Sequence, residues 1–423
     1  MTEKELNAAG EDAGGGADAA RGLHTELLHP SVPVPPGFAA FPVPVARGST
    51  VLFANVAELN AYDSGNHEQW RYGLQGTPTS AALCQRLALI EGGTRTLLQP
   101  SGLSAISNVY FAFVEQGDDV LVPMNAYGPT LDHARWMAKS YGITVRVYDP
   151  MLGAGIAALM QPNTRLLWVE APGSVTMEVP DIGALSRAAR AASQALQTDA
   201  DVNTRPLIVA IDNTYSAGLA FKPFEHDCDV SVQALTKYQS GASDVLMGAT
   251  ITRDDVVFAR LKRARMLLGL GVSADDCSLL LRSLPSMAIR HAAHDRSALA
   301  LAHWLERRAE VAVVLHPALP ECPGHENFVR DFSAAGGLFS VVFDARYTSV
   351  QVDAFVDGLK LFKIGFSWGG ANSLALPYDV PSMRPPGSWP HRGTLVRFYV
   401  GLEDEADLRA DIAASMARHL PAA

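Results

Sequence analysis

Short runs rich in aliphatic and β-branched residues alternate with longer stretches of helical periodicity between about residues 76 and 251. The runs are DVLVP, ITVRVY, LLWV, LIVAI and VLMGATI, at 119–123, 143–148, 166–169, 207–211 and 245–251. The helical stretches lie at 81–91, 103–115, 129–141 and 181–197. Strands alternating with helices of this length build a parallel sheet that helices cover. The alternation therefore predicts an α/β domain with a largely parallel sheet.

The chain before this region has a different pattern. Proline recurs there, and because proline lacks an amide donor and fixes φ, we predict an extended arm rather than a helix or a central strand. These prolines are Pro30, Pro33, Pro35, Pro36, Pro42 and Pro44. A polar connection, TDADVNTRP at 198–206, precedes the run that ends at Asp212.

The chain after the alternating region predicts a second, smaller α+β unit. A long helical segment beyond about residue 280 is expected to break at Pro285. Strand-like runs and further helices follow, at 338–343, 395–400, 350–360 and 404–419. A chain of 423 residues accommodates two or three domains. We expect a flexible tail and arm at 1–75, a large domain at 76–280 and a C-terminal small domain at 281–423.

Composition excludes several classes of protein. Hydrophobic residues make up 48% and charged residues 18%, a globular balance. The net charge of -10 leaves no general cationic surface for nucleic acid or an anionic membrane. Residues 1–20 contain no apolar stretch that could act as a secretory signal, so we expect the protein in the cytoplasm.

Cysteine and histidine spacing predicts no metal site. The four cysteines are Cys84, Cys228, Cys277 and Cys322. None forms a CxxC pair, which predicts reduced, mostly buried thiols. His291 and His294 could face one ligand on a helix, but no acidic third ligand accompanies them, and we interpret them as part of a solvated helical face.

The strongest local signal for chemistry is an aspartate and a lysine that each follow a buried strand-like run. Asp212 directly follows LIVAI, at the strand end where open α/β sheets bind ligands, and Lys237 lies in LTKY. A desolvated lysine tends to act as a nucleophilic amine, and a carboxylate can hold a heteroaromatic cation. The pair predicts a two-point grip on pyridoxal phosphate, through a Schiff base and a protonated pyridine nitrogen. A structural ion pair is the alternative interpretation.

Two further segments could complete such a site. Ser101 and Gly102 precede a predicted helix, whose first backbone amides would face an anion such as a phosphate. An ordinary helix cap is the alternative. Tyr127, in NAYGPT, could stack on a planar ring, and its alternative is a half-buried aromatic in a turn.

These segments belong to a longer set of motifs that resembles a known family. The motifs are RYGLQGTPT, EGG, SGLSA, NAYGPT, EAPGSVTMEVPD, IDNTYSAG, LTKY, FSWGG and GTLVRFYVGLED. Their order and spacing resemble the Cys/Met-metabolism pyridoxal-phosphate enzymes over about residues 45–420. The tryptophan of FSWGG and the PGSVTMEV run resemble the bacterial cystathionine β-lyase branch, so the resemblance implies β-elimination from L-cystathionine or a related thioether.

The resemblance implies a type I aminotransferase-like fold and a cofactor site. Lys237 would be the Schiff-base lysine and proton shuttle, Asp212 the partner of the pyridine nitrogen and Tyr127 the stacking ring. Gly102 and Leu103 would offer amides to the phosphate, and Thr236 would add a hydroxyl. Tyr72 matches the tyrosine of a Tyr-x-Arg element that a neighbouring subunit contributes in the family.

The resemblance also implies a substrate site and an assembly. Arg397 matches the arginine that binds the substrate α-carboxylate as a two-point fork, a geometry that lysine cannot reproduce. Ser367 and Trp368 would line the substrate pocket, although Trp368 could equally be a core residue beside a turn. The N-terminal arm would contact a neighbouring subunit, in a homotetramer built as a dimer of dimers.

Three positions depart from the pattern of the family. Leu74 stands where the best-known β-lyases have a phosphate-binding arginine, and Ala234 replaces a common serine, so we expect the phosphate to be held more weakly or by other groups, such as Arg71 or Arg265. Met266 aligns with a tyrosine near the substrate. The alternatives are therefore a cysteine-S-conjugate β-lyase, a γ-acting lyase or synthase, and a pyridoxal-phosphate-binding protein without turnover.

Overall fold

The computed structural model describes residues 22–28, 40–62, 69–196 and 205–421. The larger of its two sheets has seven strands. The strands are β1 (Arg95–Gln99), β2 (Asp119–Pro123), β3 (Thr144–Tyr148), β4 (Thr164–Glu170), β5 (Ile208–Asp212), β6 (Val230–Ala234) and β7 (Gly248–Thr252). Their order is β1-β7-β6-β5-β4-β2-β3. Pairing is parallel from β3 through β6, and only β7 runs antiparallel to its two neighbours. The predicted α/β fold with a mostly parallel sheet is confirmed.

Helices connect these strands and cover both faces of the sheet. The first seven helices are α1 (Leu23–Leu28), α2 (Val56–Asn60), α3 (Pro78–Glu91), α4 (Gly102–Phe113), α5 (Gly128–Tyr141), α6 (Ile182–Ala195) and α7 (Asp255–Leu267). Short 3-10 helices span Gly73–Gln75, Pro150–Leu159 and Pro223–Glu225. Strand β2 is buried along its whole length, and β5 is buried up to its last residue, because helices pack on both sides of the sheet.

A second, antiparallel sheet follows in the order β10-β11-β9-β8. Its strands are β8 (Val311–Leu315), β9 (Leu338–Phe343), β10 (Leu374–Tyr378) and β11 (Leu395–Tyr399). The accompanying helices are α8 (Ala274–Leu305), α9 (His325–Asp331), α10 (Ser349–Asp357), α11 (Val380–Met383) and α12 (Glu405–His419). Leu338 of β9 and Tyr399 of β11 belong to the same apolar cluster as Ala249 and Ile251 of β7, so the two sheets share one continuous core.

Two expectations about α8 are wrong. The helix runs unbroken through Pro285, because Leu281, Leu284 and Met287 are buried on either side of the proline and hold the helix against the core. His291 and His294 do not form a solvated face. They are 4% and 0% exposed and pack against the ring of Tyr238, with centroids 4.8 and 5.6 Å away.

The N-terminal arm is described only in part. Pro42 and Pro44 lie in a stretch without helix or strand up to Ala54 apart from one bridge, as proline predicts. The other four prolines of the arm, most of the connection at 198–206 and the tail at 1–20 lie outside the described residues. None of the helices within the described ranges is long and apolar enough to cross a bilayer.

Candidate active site

Two carboxylates lie side by side where adjacent parallel strands end. Glu170 ends β4, Asp212 ends β5, and the two residues are partners in the register of the pair. The backbone N–H of Thr214 donates to Asp212 Oδ1 at 3.0 Å. Burial raises the pKa of Asp212, while the hydrogen bonds from Thr214 and the charge of Lys237 oppose that rise. Asp212 is thus a buried acid that a nearby cation would keep ionised.

Lys237 lies in the turn that follows β6. Its Nζ donates to Ser367 Oγ at 2.7 Å and lies 5.2 Å from the centroid of the Trp368 ring. Burial and, to a smaller extent, the charge of Arg397 lower the pKa of Lys237 to about 8, against the opposing charge of Asp212. A lysine with such a pKa is partly uncharged near neutral pH, which is the state a nucleophilic amine requires.

Arg397 projects from β11 with spare hydrogen-bonding capacity. Its side chain is 8% exposed, and its Nε has no hydrogen-bond partner among the described residues. Nη2 makes one long contact, 3.4 Å, to the Ser367 carbonyl oxygen, and the guanidinium lies 5.4 Å from the ring centroid of Tyr378. A buried guanidinium with an unpaired Nε is suited to an anionic ligand such as a carboxylate.

Backbone geometry around Ser367 brings this segment against the lysine. Ser367 has φ = 90°, a left-handed conformation that is rare for residues other than glycine. Gly369 has φ = 89°, and a Cβ there would lie 2.7 Å from Lys237 Cα. Glycine is required at this position because the two backbones touch. The left-handed backbone at Ser367 accompanies the hydrogen bond between its hydroxyl and Lys237 Nζ.

Tyr127 lies above the same strand ends, at the start of α5. Its backbone N–H donates to Glu170 Oε2 at 2.8 Å, so the second carboxylate fixes the tyrosine backbone. The ring is 46% exposed and free to cover a ligand. Burial, and then the charge of Asp212, raise the pKa of Glu170 well above its usual range. Glu170 is therefore suited to remain protonated beside an ionised Asp212.

The start of α4 approaches the end of β6 closely. Ser101 caps the helix, accepting from the Ser104 N–H at 3.1 Å. A Cβ on Gly102 would lie 2.8 Å from Ala234 Cβ, so glycine lets the helix start lie beside the lysine turn. Leu103 is exposed, and the Thr236 hydroxyl bonds the backbone of Met247. The predicted amides and hydroxyl therefore come together at the end of β6.

Other predicted residues lie outside this group. Tyr72 is 53% exposed and pairs with Thr50 in an isolated β-bridge. Arg265 Nη1 and Nε donate to the carbonyl oxygens of Leu74 and Leu98, at 2.9 and 2.7 Å. Arg71 stacks on the ring of Tyr62.

These contacts bear on the positions that depart from the family pattern. Two nitrogens of Arg265 donate to backbone carbonyl oxygens. One of these oxygens belongs to Leu74, so Arg265 fixes the segment that carries the leucine. The sulfur of Met266 lies 4.0 Å from Arg265 Nη1, so the side chain faces that guanidinium.

Several residues at the site were missed by sequence reasoning. Glu170 was present in the EAPG motif, directly after a predicted strand, which is the same signal that identified Asp212. Thr214 and Tyr378 carry no comparable signal, since Thr214 lies in the turn after β5 and Tyr378 lies on a neighbouring antiparallel strand.

The donor set fits pyridoxal phosphate. A buried acid, a lysine of lowered pKa and an exposed ring share the ends of β4–β6, next to a helix start that a Cβ at Gly102 would obstruct. The unpaired Nε of Arg397 adds a place for the carboxylate of an amino acid. Such a combination is suited to a cofactor that reacts with amino acids.

Comparisons with known proteins agree with this geometry. A putative cystathionine beta-lyase of Rhizobium johnstonii is 41% identical over 372 residues, covering 87% of this chain and 89% of that protein. The cystathionine beta-lyase of Haemophilus influenzae is 39% identical over 376 residues, covering 88% and 92%. A crystal structure of cystathionine gamma synthase from Xanthomonas oryzae pv. oryzae, in complex with aminoacrylate and cysteine, matches with a TM-score of 0.83 at 27% identity, covering 95% and 99%.

The predicted type I aminotransferase-like fold is confirmed by these neighbours. The model of the family described as Cys/Met metabolism PLP-dependent enzyme matches residues 24–417. This chain is therefore a pyridoxal-phosphate-dependent enzyme and belongs to the Cys/Met metabolism family.

Proposed function

We propose that this enzyme is a cystathionine β-lyase, which cleaves L-cystathionine by β-elimination to homocysteine, pyruvate and ammonia. The observation that carries the proposal is the contact of Ser367 with both Lys237 Nζ and the Arg397 guanidinium, which brings the reactive amine beside a carboxylate site. The relatives named as cystathionine beta-lyases support the choice of reaction.

Seven residues are proposed to hold the cofactor. Pyridoxal phosphate, when bound, supplies an electron sink for the electron pair left at Cα. Lys237 attaches it, Asp212 keeps its pyridine nitrogen protonated, and Tyr127 covers its ring. The amides of Gly102 and Leu103 and the hydroxyl of Thr236 hold its phosphate. Tyr72 reaches the phosphate of a neighbouring subunit.

Arg397, Ser367 and Trp368 are proposed to bind and orient the substrate. The guanidinium of Arg397 takes the α-carboxylate as a two-point fork, which fixes the orientation of the Cα–H bond. The Trp368 ring packs against Tyr238 at 5.4 Å and forms one wall beside Lys237. This wall excludes water from the amine and keeps its pKa low.

Lys237 is proposed to move the proton. The hydroxyl of Ser367, 2.7 Å from Nζ, would hold the free amine, whose pKa of about 8 lets it accept a proton near neutral pH. The amine takes the proton from Cα and delivers it to the departing sulfur, so that homocysteine leaves as a thiol. The net proton count at Lys237 is unchanged by the elimination.

We also propose the assembly, the location and the division of the chain. The enzyme is a homotetramer, a dimer of dimers in which the arm and Tyr72 contact the neighbouring subunit, and it resides in the cytoplasm. The arm spans residues 1–75, the cofactor domain 76–280 and the small domain 281–423. The exposed apolar side chains Phe41 and Leu52 in the arm support a contact with another subunit.

The test is product analysis with three substrates. Purified enzyme is incubated with L-cystathionine, L-methionine and an O-acylhomoserine, and the keto acid is identified. Pyruvate and homocysteine from cystathionine support the proposal. Formation of 2-oxobutyrate instead would identify γ-elimination, and reaction only with other S-substituted cysteines would identify a different β-lyase. Absence of any product from holoenzyme would indicate a binding protein without turnover.

A further inference from the structure

We propose that Glu91 is a positioning residue that fixes Asp212 and Lys237 relative to each other. The inference rests on the proposed function, in which those two residues hold opposite sides of the cofactor ring. It also gives a role to the EGG segment, which the proposed function leaves without one.

Glu91 is a buried carboxylate that only hydrogen-bond donors surround. It is the last residue of α3 and is 2% exposed. Asn213 Nδ2 donates to Oε1 at 2.7 Å, the hydroxyl of Ser231 donates to the same oxygen, and Gln233 Nε2 donates to Oε2 at 2.8 Å. A group that only accepts hydrogen bonds satisfies all three donors at once.

One branch of this network leads to Asp212. Asn213 directly follows it, and the carbonyl oxygen of Asn213 accepts from Gln233 Nε2 at 2.9 Å. The Asn213 N–H donates to the Val232 carbonyl at 3.0 Å. Side chain and backbone of Asn213 are therefore both held, which fixes the direction in which the neighbouring carboxylate leaves the strand.

The other branch leads to Lys237. Gln233 lies in β6, before the lysine turn, and its Oε1 accepts from Gln239 Nε2 at 3.0 Å. Gln239 is 1% exposed and lies two residues after Lys237. The line Glu91–Gln233–Gln239 therefore spans the turn that carries the lysine and ties its far side to the same carboxylate.

Neighbouring groups leave room for a carboxylate at position 91 and stabilise its charge. Lys222 Nζ donates to the carbonyl oxygens of Ile90 and Gly218, at 2.5 and 2.6 Å, and its charge lies close to Glu91. A Cβ on Gly218 would lie 2.2 Å from Glu91 Oε2, so a glycine there leaves room for the oxygen. Burial raises the pKa of Glu91 to about 7, while its three donors and Lys222 oppose that rise.

Glutamine at position 91 would break one link. Its amide oxygen could replace Oε1 and serve Asn213 and Ser231, but its NH2 would then face Gln233 Nε2, also a donor. Gln233 could turn its amide around only by losing its bond to the Asn213 carbonyl and by reversing its bond with Gln239, whose Oε1 has no partner among the described residues. Glu91→Gln therefore keeps the volume and removes either the link to the lysine turn or the link to the Asn213 carbonyl.

A purely structural role would be to fasten α3 to the sheet. Asp119 provides the matched control, because it is also a fully buried carboxylate, accepting from Arg146 Nε at 2.7 Å and Thr164 Oγ1 at 2.6 Å. It begins β2 and so lies at the opposite edge of the parallel sheet from Asp212. Asp119→Asn should lower the urea midpoint of unfolding without changing the cofactor.

The experiment compares holoenzyme of wild type, Glu91→Gln and Asp119→Asn. The pH midpoint of the absorbance band of the lysine-bound cofactor and the cofactor dissociation constant are measured, together with the urea midpoint. In Glu91→Gln we expect the pH midpoint to move by about half a unit and the dissociation constant to rise by about tenfold. A Glu91→Gln enzyme that loses only stability, like the control, would overturn the inference.

A second variant covers the case in which Glu91→Gln does not fold. Gln239→Met removes the last link to the lysine turn and leaves the three donors of Glu91 in place, and a smaller shift of the same band is expected. An unchanged band in Gln239→Met would overturn the inference on its own. If borohydride reduction fixes no cofactor on Lys237 of the wild type, the proposed function itself fails, and this premise with it.

Discussion

The two sides of the proposed cofactor site are built in different ways. On one side, chain neighbours of Asp212 and Lys237 are held by side-chain hydrogen bonds that centre on Glu91, through Asn213, Gln233 and Gln239. On the other side, the start of α4 offers backbone amides, and the Thr236 hydroxyl is already bonded to Met247. We refer to these as the strand-end side and the helix-start side.

The two sides are suited to different tasks: the strand-end side to the reaction and the helix-start side to retaining the cofactor. The strand-end side sets the positions and the protonation of the acid and the amine, which determine reactivity and tolerate little displacement. The helix-start side needs only to hold an anion, and amides at a helix start do so without any particular side chain. A side chain as small as that of Ala234 is therefore tolerated beside the helix start, where backbone amides hold the anion.

The largest expected effect comes from removing the amine. Lys237→Ala should abolish cystathionine cleavage and the absorbance of the lysine-bound cofactor, because both depend on Nζ. Folding should be retained, since the side chain makes one hydrogen bond, to Ser367. Absorbance spectra, pyruvate formation and circular dichroism check this prediction, and Ser240→Ala in the same turn is the control. Lyase activity surviving in Lys237→Ala would contradict the assignment.

Removing the carboxylate site should affect substrate rather than cofactor. Arg397→Ala is expected to lower kcat/KM for cystathionine by about 10²- to 10³-fold, as expected for a buried charge-assisted fork. Cofactor content should remain that of wild type, because Arg397 projects from the second sheet and not from either side of the cofactor site. Arg397→Lys should recover little of the loss. Equal losses of cofactor and activity would indicate a structural role.

Sequence patterning predicted several of the continuously apolar strands and missed several others. The run at 119–123 has the same bounds as β2, and the run at 338–343 has those of β9, whereas β1, β6, β8 and β10 were missed. In β6, Ser231 and Gln233 are buried polar residues that bind Glu91, so the strand lacks a continuous apolar pattern. Gln99 in β1 similarly bonds the Thr250 hydroxyl. Strands that carry buried polar networks escape a prediction based on hydrophobicity.

The site was predictable where topology alone brings residues together. Asp212 and Lys237 follow buried strands, and parallel strands end at one edge. Glu91 could not be predicted as part of the site, because its donors lie 122 to 142 positions away along the chain and meet it only through the packing of α3 on the sheet. The break expected at Pro285 failed for the same reason, since buried neighbours outweigh the lost hydrogen bond.

Glu170 tests whether the second carboxylate acts by position or by charge. Glu170→Gln keeps an oxygen acceptor for the Tyr127 N–H, so turnover should fall by about threefold or less, whereas Glu170→Ala should lose about tenfold in cofactor affinity.

The pH dependence of the free energy of unfolding provides a second test of Glu170. Because the folded-state pKa of Glu170 is raised, its contribution to stability is fully present below its unfolded pKa and is lost as pH rises through the folded one. Apo Glu170→Gln should therefore lose less stability than wild type between about pH 4.3 and neutral pH. Urea unfolding of both apo proteins across that range measures the difference, and parallel curves would mean that Glu170 is ionised in the folded protein.

The smallest expected effect is a gain on the helix-start side. If Tyr72 reaches a neighbouring phosphate, position 74 lies near that anion, and Leu74→Arg should add about 1 kcal/mol, roughly a fivefold tighter cofactor, in a partly exposed setting. Salt should weaken that gain, because an exposed ion pair is screened. Leu74→Met is the control, since it keeps an apolar side chain and leaves the Leu74 carbonyl for Arg265. Dissociation constants at low and high salt, with dimers verified by sedimentation, measure the effect. A Leu74→Arg dimer that binds cofactor no more tightly than Leu74→Met would mean that this segment does not face the phosphate, and the difference between the two sides would then have to arise within a single chain.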